Sequence, residues 1–180
     1  MKKVFCSALI IFIIIFGALL GIKSLFPLKY QEQILACSRE YGLDPNMVCG
    51  MIKAESNFDP DAKSNKGAIG LMQVTPETAQ WCAEKMQLEG FETEDLYDPE
   101  TNIQIGTWYY AYLYDHFHDH SMAAAAYNGG ISNVKKWLDQ EIIHEENVIV
   151  DDIPFPETKN YIKKIQRFQK MYEFLYHLEV

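Results

Sequence analysis

From about residue 28 onward, apolar positions recur at spacings of three and four instead of alternating, which is the period of amphipathic helices. A first helix is predicted over about Leu28 to Tyr41, with Ile34, Leu35, Ser38 and Tyr41 on one face and Gly42 as its stop. Asp44-Pro45 opens the next helix: an acceptor for free N–H groups, then proline at the first helical position. Met47, Val48, Met51 and Ile52 form its apolar stripe, and it ends near Glu55, before the turn-rich Asn57-Phe58-Asp59-Pro60. Thr75-Pro76 and Asp98-Pro99 repeat the start signal for helices running toward Met86 and Phe117, with an acidic loop, Glu89 to Tyr97, between them. Met122 to Tyr127 predicts a short alanine-rich helix broken by Asn128-Gly129-Gly130, and Ile131 to Leu138 predicts another. The period is lost from Asp139 to Phe155, where a brief extended run is expected at Val148-Ile149-Val150. Pro156 then starts a long last helix, with Tyr161, Ile165, Phe168, Tyr172 and Leu175 spaced for burial. The fold class is mostly α, with one helical domain and no internal repeat.

The N-terminus has a different pattern. Met1-Lys2-Lys3 is basic, and Val4 to Ile22 is almost wholly apolar, with Ser7 the main polar interruption. About 19 such residues suffice to cross roughly 30 Å of hydrocarbon as a helix. A cleaved signal peptide is the rival, but its apolar core is usually shorter, and Ala18-Leu19-Leu20-Gly21 is a poor cleavage site. A transmembrane helix is therefore favoured. Lys2 and Lys3 would sit on the cytoplasmic side, giving a single-pass protein of the cell membrane whose domain is extracytoplasmic. The division expected is residues 1–23 for the anchor (or signal peptide) and 24–180 for the domain. Cys6 lies too early for a lipid-modified cysteine at a cleavage site.

Charge narrows the partners. The chain has 16 basic and 25 acidic side chains, and its first 23 residues hold three lysines and no acid, so its balance of −9 becomes −12 for the remainder. Such a domain repels nucleic acid and anionic lipid surfaces. Of the cysteines outside the apolar segment, Cys37, Cys49 and Cys82, at most two can pair; buried thiols are the first expectation and one disulfide the second. Their spacing fits no zinc pattern. His116, His118 and His120 alternate beside Asp115 and Asp119, but positions two apart do not share a helical face, so no metal is expected. Tyr109, Tyr110, Tyr112 and Tyr114 read as core and groove-wall aromatics, and Phe155 as a packing anchor. No cofactor is called for, and a monomer is expected.

The candidate chemistry centres on Glu55. A carboxyl at the end of an apolar helix, shielded from water, has its pKa raised because desolvation disfavours the charged form. That property suits an acid that protonates a glycosidic oxygen near neutral pH. On position alone, a glutamate at a helix end is an ordinary surface residue. Its neighbours alter that balance: Gly67 and Gly70 permit a tight turn, Gln73 offers a donor and an acceptor, and Tyr127-Asn128-Gly129-Gly130 adds an aromatic and an amide.

Together these motifs resemble the lytic transglycosylase domain of the soluble-lytic-transglycosylase (SLT) type, related in fold to goose-type lysozyme. The resemblance covers about Tyr30 to Phe174. It rests on Glu55-Ser56, on Gly70-Leu71-Met72-Gln73 with Thr75-Pro76, and on Asp98-Pro99 through Asn102-Ile103 and Gly106. Ala126-Tyr127-Asn128-Gly129-Gly130 and Pro156-Glu157-Thr158 through Tyr161 complete the order. It implies a lysozyme-like helical domain acting on peptidoglycan glycan strands at the β-1,4 bond between N-acetylmuramic acid and N-acetylglucosamine. Glu55 would serve as acid and then as base, with the sugar's own 6-hydroxyl closing a 1,6-anhydro product. No well-placed second carboxylate is evident, in keeping with a family that works with one. Ser64, Gln73, Tyr127, Asn128 and Glu157 would line the substrate site. Tyr127 would orient Glu55 or the sugar ring, and Ser56 would either join the contacts or simply finish its helix. Glu157 would either stabilise developing positive charge or favour the start of the last helix through the dipole.

Two other functions fit the same residues. A hydrolytic, lysozyme-like muramidase would admit water opposite Glu55, with Asp59, Asp61 or Glu157 as base. A non-catalytic wall-binding module would tolerate Glu55→Gln.

Overall fold

The computed structural model describes residues 2–144 and 148–179, and within the first helix it leaves out the side chains of residues 2–10, 18 and 19. Eight α-helices lie among the described residues: α1 Lys2–Leu25, α2 Gln31–Tyr41, α3 Pro45–Glu55, α4 Pro76–Met86, α5 Pro99–Phe117, α6 His120–Gly129, α7 Ile131–Asp139 and α8 Pro156–Tyr176. Among the described residues no strand forms, and isolated bridges pair Lys63 with Ile69 and Ile69 with Val74. The starts of α3, α4 and α5 follow from side-chain acceptors that satisfy otherwise unpartnered N–H groups. Asp44 accepts from the Asn46 amide at 2.8 Å, Thr75 from Thr78 at 3.3 Å, and Asp98 from Thr101 at 2.9 Å.

Some elements depart from the sequence pattern. Asp119 accepts from the Met122 amide at 2.8 Å, so α6 begins at His120 and not at Met122, and it runs through Asn128 to Gly129. The acidic loop contains a 3-10 turn, Thr93–Tyr97, that buries Leu96. The run expected to be extended at Val148–Val150 instead enters a second 3-10 turn, Val150–Asp152. Leu175 is only half-buried; the chain turns at His177, with φ of 47°, and buries Leu178 in its place. Phe155 is 42% exposed, although its ring meets Trp137 edge-on at 5.0 Å.

α3 is the central helix. Every residue from Pro45 to Ile52 is buried, not just the predicted stripe. Its tightest approach to α8 is at Gly50, where a Cβ would lie 2.9 Å from the Gln169 amide nitrogen and 3.2 Å from the Ile165 carbonyl. Only a residue with no side chain lets the two backbones meet so closely. α8 thereby lies along α3, with Tyr161, Ile162, Ile165 and Phe168 buried. Cys37, Cys49 and Cys82 are all buried free thiols. Burial pushes Cys37 up to about 11 and Cys82 up to about 12, and raises Cys49 further.

The segment after α1 is held against the domain. The Phe26 ring meets Phe168 and Tyr172 edge-on at 5.5 and 5.8 Å. Tyr172 and Tyr176 donate their hydroxyls to the carbonyls of Pro27 and Phe26 at 2.9 and 2.7 Å, and Lys53 donates to the Leu25 carbonyl at 2.5 Å. Among the described residues, no helix is long and apolar enough to cross a membrane. The expected span, Val4 to Ile22, includes positions 4–10, 18 and 19, whose side chains lie outside the described residues.

Candidate active site

Glu55 is the last residue of α3, and its carboxyl meets the C-terminal helix: the Tyr161 hydroxyl donates to Oε1 at 2.5 Å. Glu55 as a whole is half-buried. Desolvation of its carboxyl pushes the pKa up to about 7, overcoming the Tyr161 hydrogen bond and the nearby Lys164 charge, which both favour the anion. A carboxyl poised near neutrality can both give and take a proton there.

The opposing wall is a loop, residues 62–74, with no helix or strand to stiffen it. Its shape comes from side chains that reach its backbone. Asn102, on α5 and fully buried, donates to the Ile69 and Leu96 carbonyls at 3.0 and 2.8 Å and accepts from the Met72 amide at 2.8 Å. Ser56 donates to the Leu71 carbonyl at 2.8 Å, and Tyr127 to the Met72 carbonyl at 2.8 Å. Gly70 has φ of +78°, and a Cβ there would collide with the Asn102 amide and the Leu96 carbonyl. Gln73 donates its amide to Ala62 and Gly70 carbonyls, both at 3.0 Å, which leaves its carbonyl oxygen for a ligand.

Glu55, Ser64, Gln73, Tyr127, Asn128 and Glu157 line one open cleft of about 330 Å³. Ser56 is not part of this lining, because its hydroxyl is spent on the loop. The Tyr127 hydroxyl serves Met72; the hydroxyl on Glu55 is that of Tyr161, which the sequence marks as a buried spacing and as the end of the last motif but not as a partner of Glu55. Asn128 accepts from the Thr158 hydroxyl at 2.9 Å, tying α6 to the start of α8 and leaving its amide N–H groups free to donate. Glu157 lies in the first turn of α8, where the dipole favours it, and pairs with Lys66 across the cleft at 3.6 Å with both side chains largely exposed. Asp59 and Asp61 are exposed and line no part of the cleft.

The cleft continues past Gln73, Thr75, Tyr127 and Asn128 into a second hollow of about 270 Å³. Through Thr78, Tyr109 and Gly130 it reaches a third, about 580 Å³, walled by Trp81, Tyr109 and Tyr112. Trp81 and Tyr112 meet edge-on at 5.0 Å, and Tyr112 stacks on Trp108 at 5.7 Å. The result is an elongated groove, with a titratable carboxyl at one end and aromatic faces at the other. His120, in contrast, stacks on Tyr114 at 4.2 Å, and its Nδ1 meets the Tyr110 hydroxyl at 3.1 Å. Among the described residues, no three His, Cys, Asp or Glu side chains converge as metal ligands would.

The Transglycosylase SLT domain family matches residues 32–150. The chain belongs to the SLT transglycosylase family. It is 34% identical over 152 residues to the soluble lytic murein transglycosylase of Escherichia coli K12, covering 83% of this chain and 24% of that protein. It is 30% identical over 168 residues to the membrane-bound lytic murein transglycosylase C of Actinobacillus pleuropneumoniae, covering 80% and 46%. Among solved structures, the 70 kDa soluble lytic transglycosylase of Escherichia coli matches with a TM-score of 0.78 and 32% identity, over 85% of this chain and 25% of that one. The SLT chain thus spans less than half the length of these curated relatives. The mostly helical SLT domain expected from the sequence is the fold observed. The family match ends at residue 150, so Glu157, Tyr161 and Lys164, all on α8, lie beyond it.

Proposed function

We propose that this chain is a peptidoglycan lytic transglycosylase that cleaves the β-1,4 bond between N-acetylmuramic acid and N-acetylglucosamine. Glu55 gives its proton to the leaving glycosidic oxygen as the bond to the anomeric carbon breaks. The muramic acid 6-hydroxyl then attacks that carbon, and its proton returns to the Glu55 carboxylate. No water is consumed, and the product ends in 1,6-anhydro-N-acetylmuramic acid. The observation that carries this reading is a carboxyl with a pKa near 7 at the head of a long groove. Both halves of the cycle need such a group, since one residue must be protonated first and ionised afterwards.

In this reading Ser64, Gln73, Asn128 and Glu157 contact the sugars. Tyr127 and Ser56 act at one remove by holding the loop that carries Gln73. Residues 24–180 form the catalytic domain and residues 1–23 a membrane anchor that keeps it facing the wall as a monomer. The apolar run and the two leading lysines support the anchor, and a membrane-bound relative supports it independently.

Hydrolysis is the second reading, favoured by one observation: Glu157 lines the same cleft as Glu55 and could serve as base to a water. Mass spectrometry of muropeptides released by the full chain separates the two, because a hydrolysed end is heavier than an anhydro end by one water. Anhydro ends with the wild type and no release with Glu55→Gln are expected. Reducing ends alone, or undiminished release by Glu55→Gln, would overturn the proposal.

A further inference from the structure

We infer that Lys164 is a positioning residue for Glu55: its ammonium fastens the last turn of α3 to α8, so that the acid and Tyr161 are held in register. The inference rests on the reading of Glu55 as the acid. A helix leaves its last carbonyls without intrahelical partners, and a cation that reaches one is favoured by both the hydrogen bond and the dipole. The Lys164 ammonium donates to the Ala54 carbonyl at 2.7 Å, one residue before Glu55. Tyr161 and Lys164 are three apart on α8 and therefore share a face. One turn of α8 thus grips the end of α3 twice, through the backbone at Ala54 and through the side chain at Glu55.

Lys164 is exposed, and its ammonium also lies 5.8 Å from the centre of the Phe168 ring. Lys53, on α3 itself, turns the other way, to the Leu25 carbonyl and the Asn57 side chain, so it does not share the Ala54 acceptor. The groups around Glu55 are Tyr161 and Lys164 from α8 and Tyr127 from α6; Glu157 and Lys66 line the same cleft and are paired with each other. Of these, Lys164 supplies the positive charge that opposes the effect of burial on Glu55. Without it, the carboxyl would hold its proton more tightly and would serve less well in the second half of the cycle, when it must be an anion.

The test compares full-length wild type, Lys164→Met and Lys164→Arg by NMR titration of the Glu55 side-chain carbon and by the pH dependence of muropeptide release. In Lys164→Met the Glu55 midpoint should rise by about half a pH unit, the order expected of losing one solvent-screened charge. The alkaline limb of the activity profile should move with it. Turnover should fall by roughly tenfold with KM little changed, less than the ~100-fold that a 1 Å misplacement can cost. Lys164→Arg should restore both. An unchanged midpoint in Lys164→Met, or an arginine variant that restores neither property, would overturn the inference. The titration needs no turnover, so it stands apart from failure of the proposed function, which would appear as activity retained by Glu55→Gln.

Discussion

Replacing Asn102 by leucine removes three hydrogen bonds with little change of volume, and it isolates the part of the site that no regular element supports. The Ile69 and Leu96 carbonyls and the Met72 amide would each lose their Asn102 partner in a fully buried place. The Ile69 carbonyl keeps the Val74 amide as a donor at 3.2 Å, so two groups are left unsatisfied, at about 1–3 kcal/mol each and about 2–6 kcal/mol together. A domain of this size has a total stability of about 5–15 kcal/mol, so the variant should sit near the edge of folding. With a urea slope of about 2 kcal/mol/M, the midpoint of denaturation followed by helical circular dichroism should fall by roughly 2 M with the slope unchanged. Asn102→Asp is the companion variant. It keeps an acceptor for the Met72 amide but sets an anion against two carbonyls, and it should be destabilised more at pH 7 than near pH 4. A loss below about 1 kcal/mol in Asn102→Leu would refute the reasoning, since the loop would then have another source of order.

Tyr161→Phe removes the hydrogen bond that favours the Glu55 anion, so the alkaline limb of the activity profile should move to higher pH; a profile identical to wild type would place the coupling elsewhere. Glu55 also ties stability to pH. Its folded pKa, about 7, lies above the ordinary 4.5, so its contribution is fully present below 4.5 and is lost as pH rises through 7. Thermal scans should therefore show wild type losing ground to Glu55→Gln between pH 4.5 and 8, and a constant difference would contradict the burial of that carboxyl.

The helix starts were legible because their cause is local. Asp44, Thr75 and Asp98 each precede a proline and cap the residues that follow, and nothing distant is needed to see it. Asp119 does the same without a proline to mark it, so the apolar pattern alone starts that helix at Met122. The two 3-10 turns escaped notice because three to five residues carry no period. Site residues divide the same way. Gln73 and Asn128 stand in motifs whose spacing is visible along the chain, Ser64 follows only from the family resemblance, and the cleft gathers all three. Tyr161 has the spacing of a core residue, and only the approach of α8 to α3 at Gly50 brings its hydroxyl to a carboxylate 106 positions away. Asn102 gave no sign that its amide would order a loop some thirty residues earlier in the chain, because three simultaneous bonds are a property of the packed state.

That 106-residue separation bears on how the protein is made. A growing chain has completed Glu55, the loop that faces it and Tyr127 well before the residues of α8 emerge. Until then the end of α3 lacks Tyr161 and Lys164, and Asn128 lacks Thr158. A nascent or C-terminally truncated chain would thus carry Glu55 without the helix that holds it. On the proposed reading of Glu55, activity is thereby tied to the synthesis of α8.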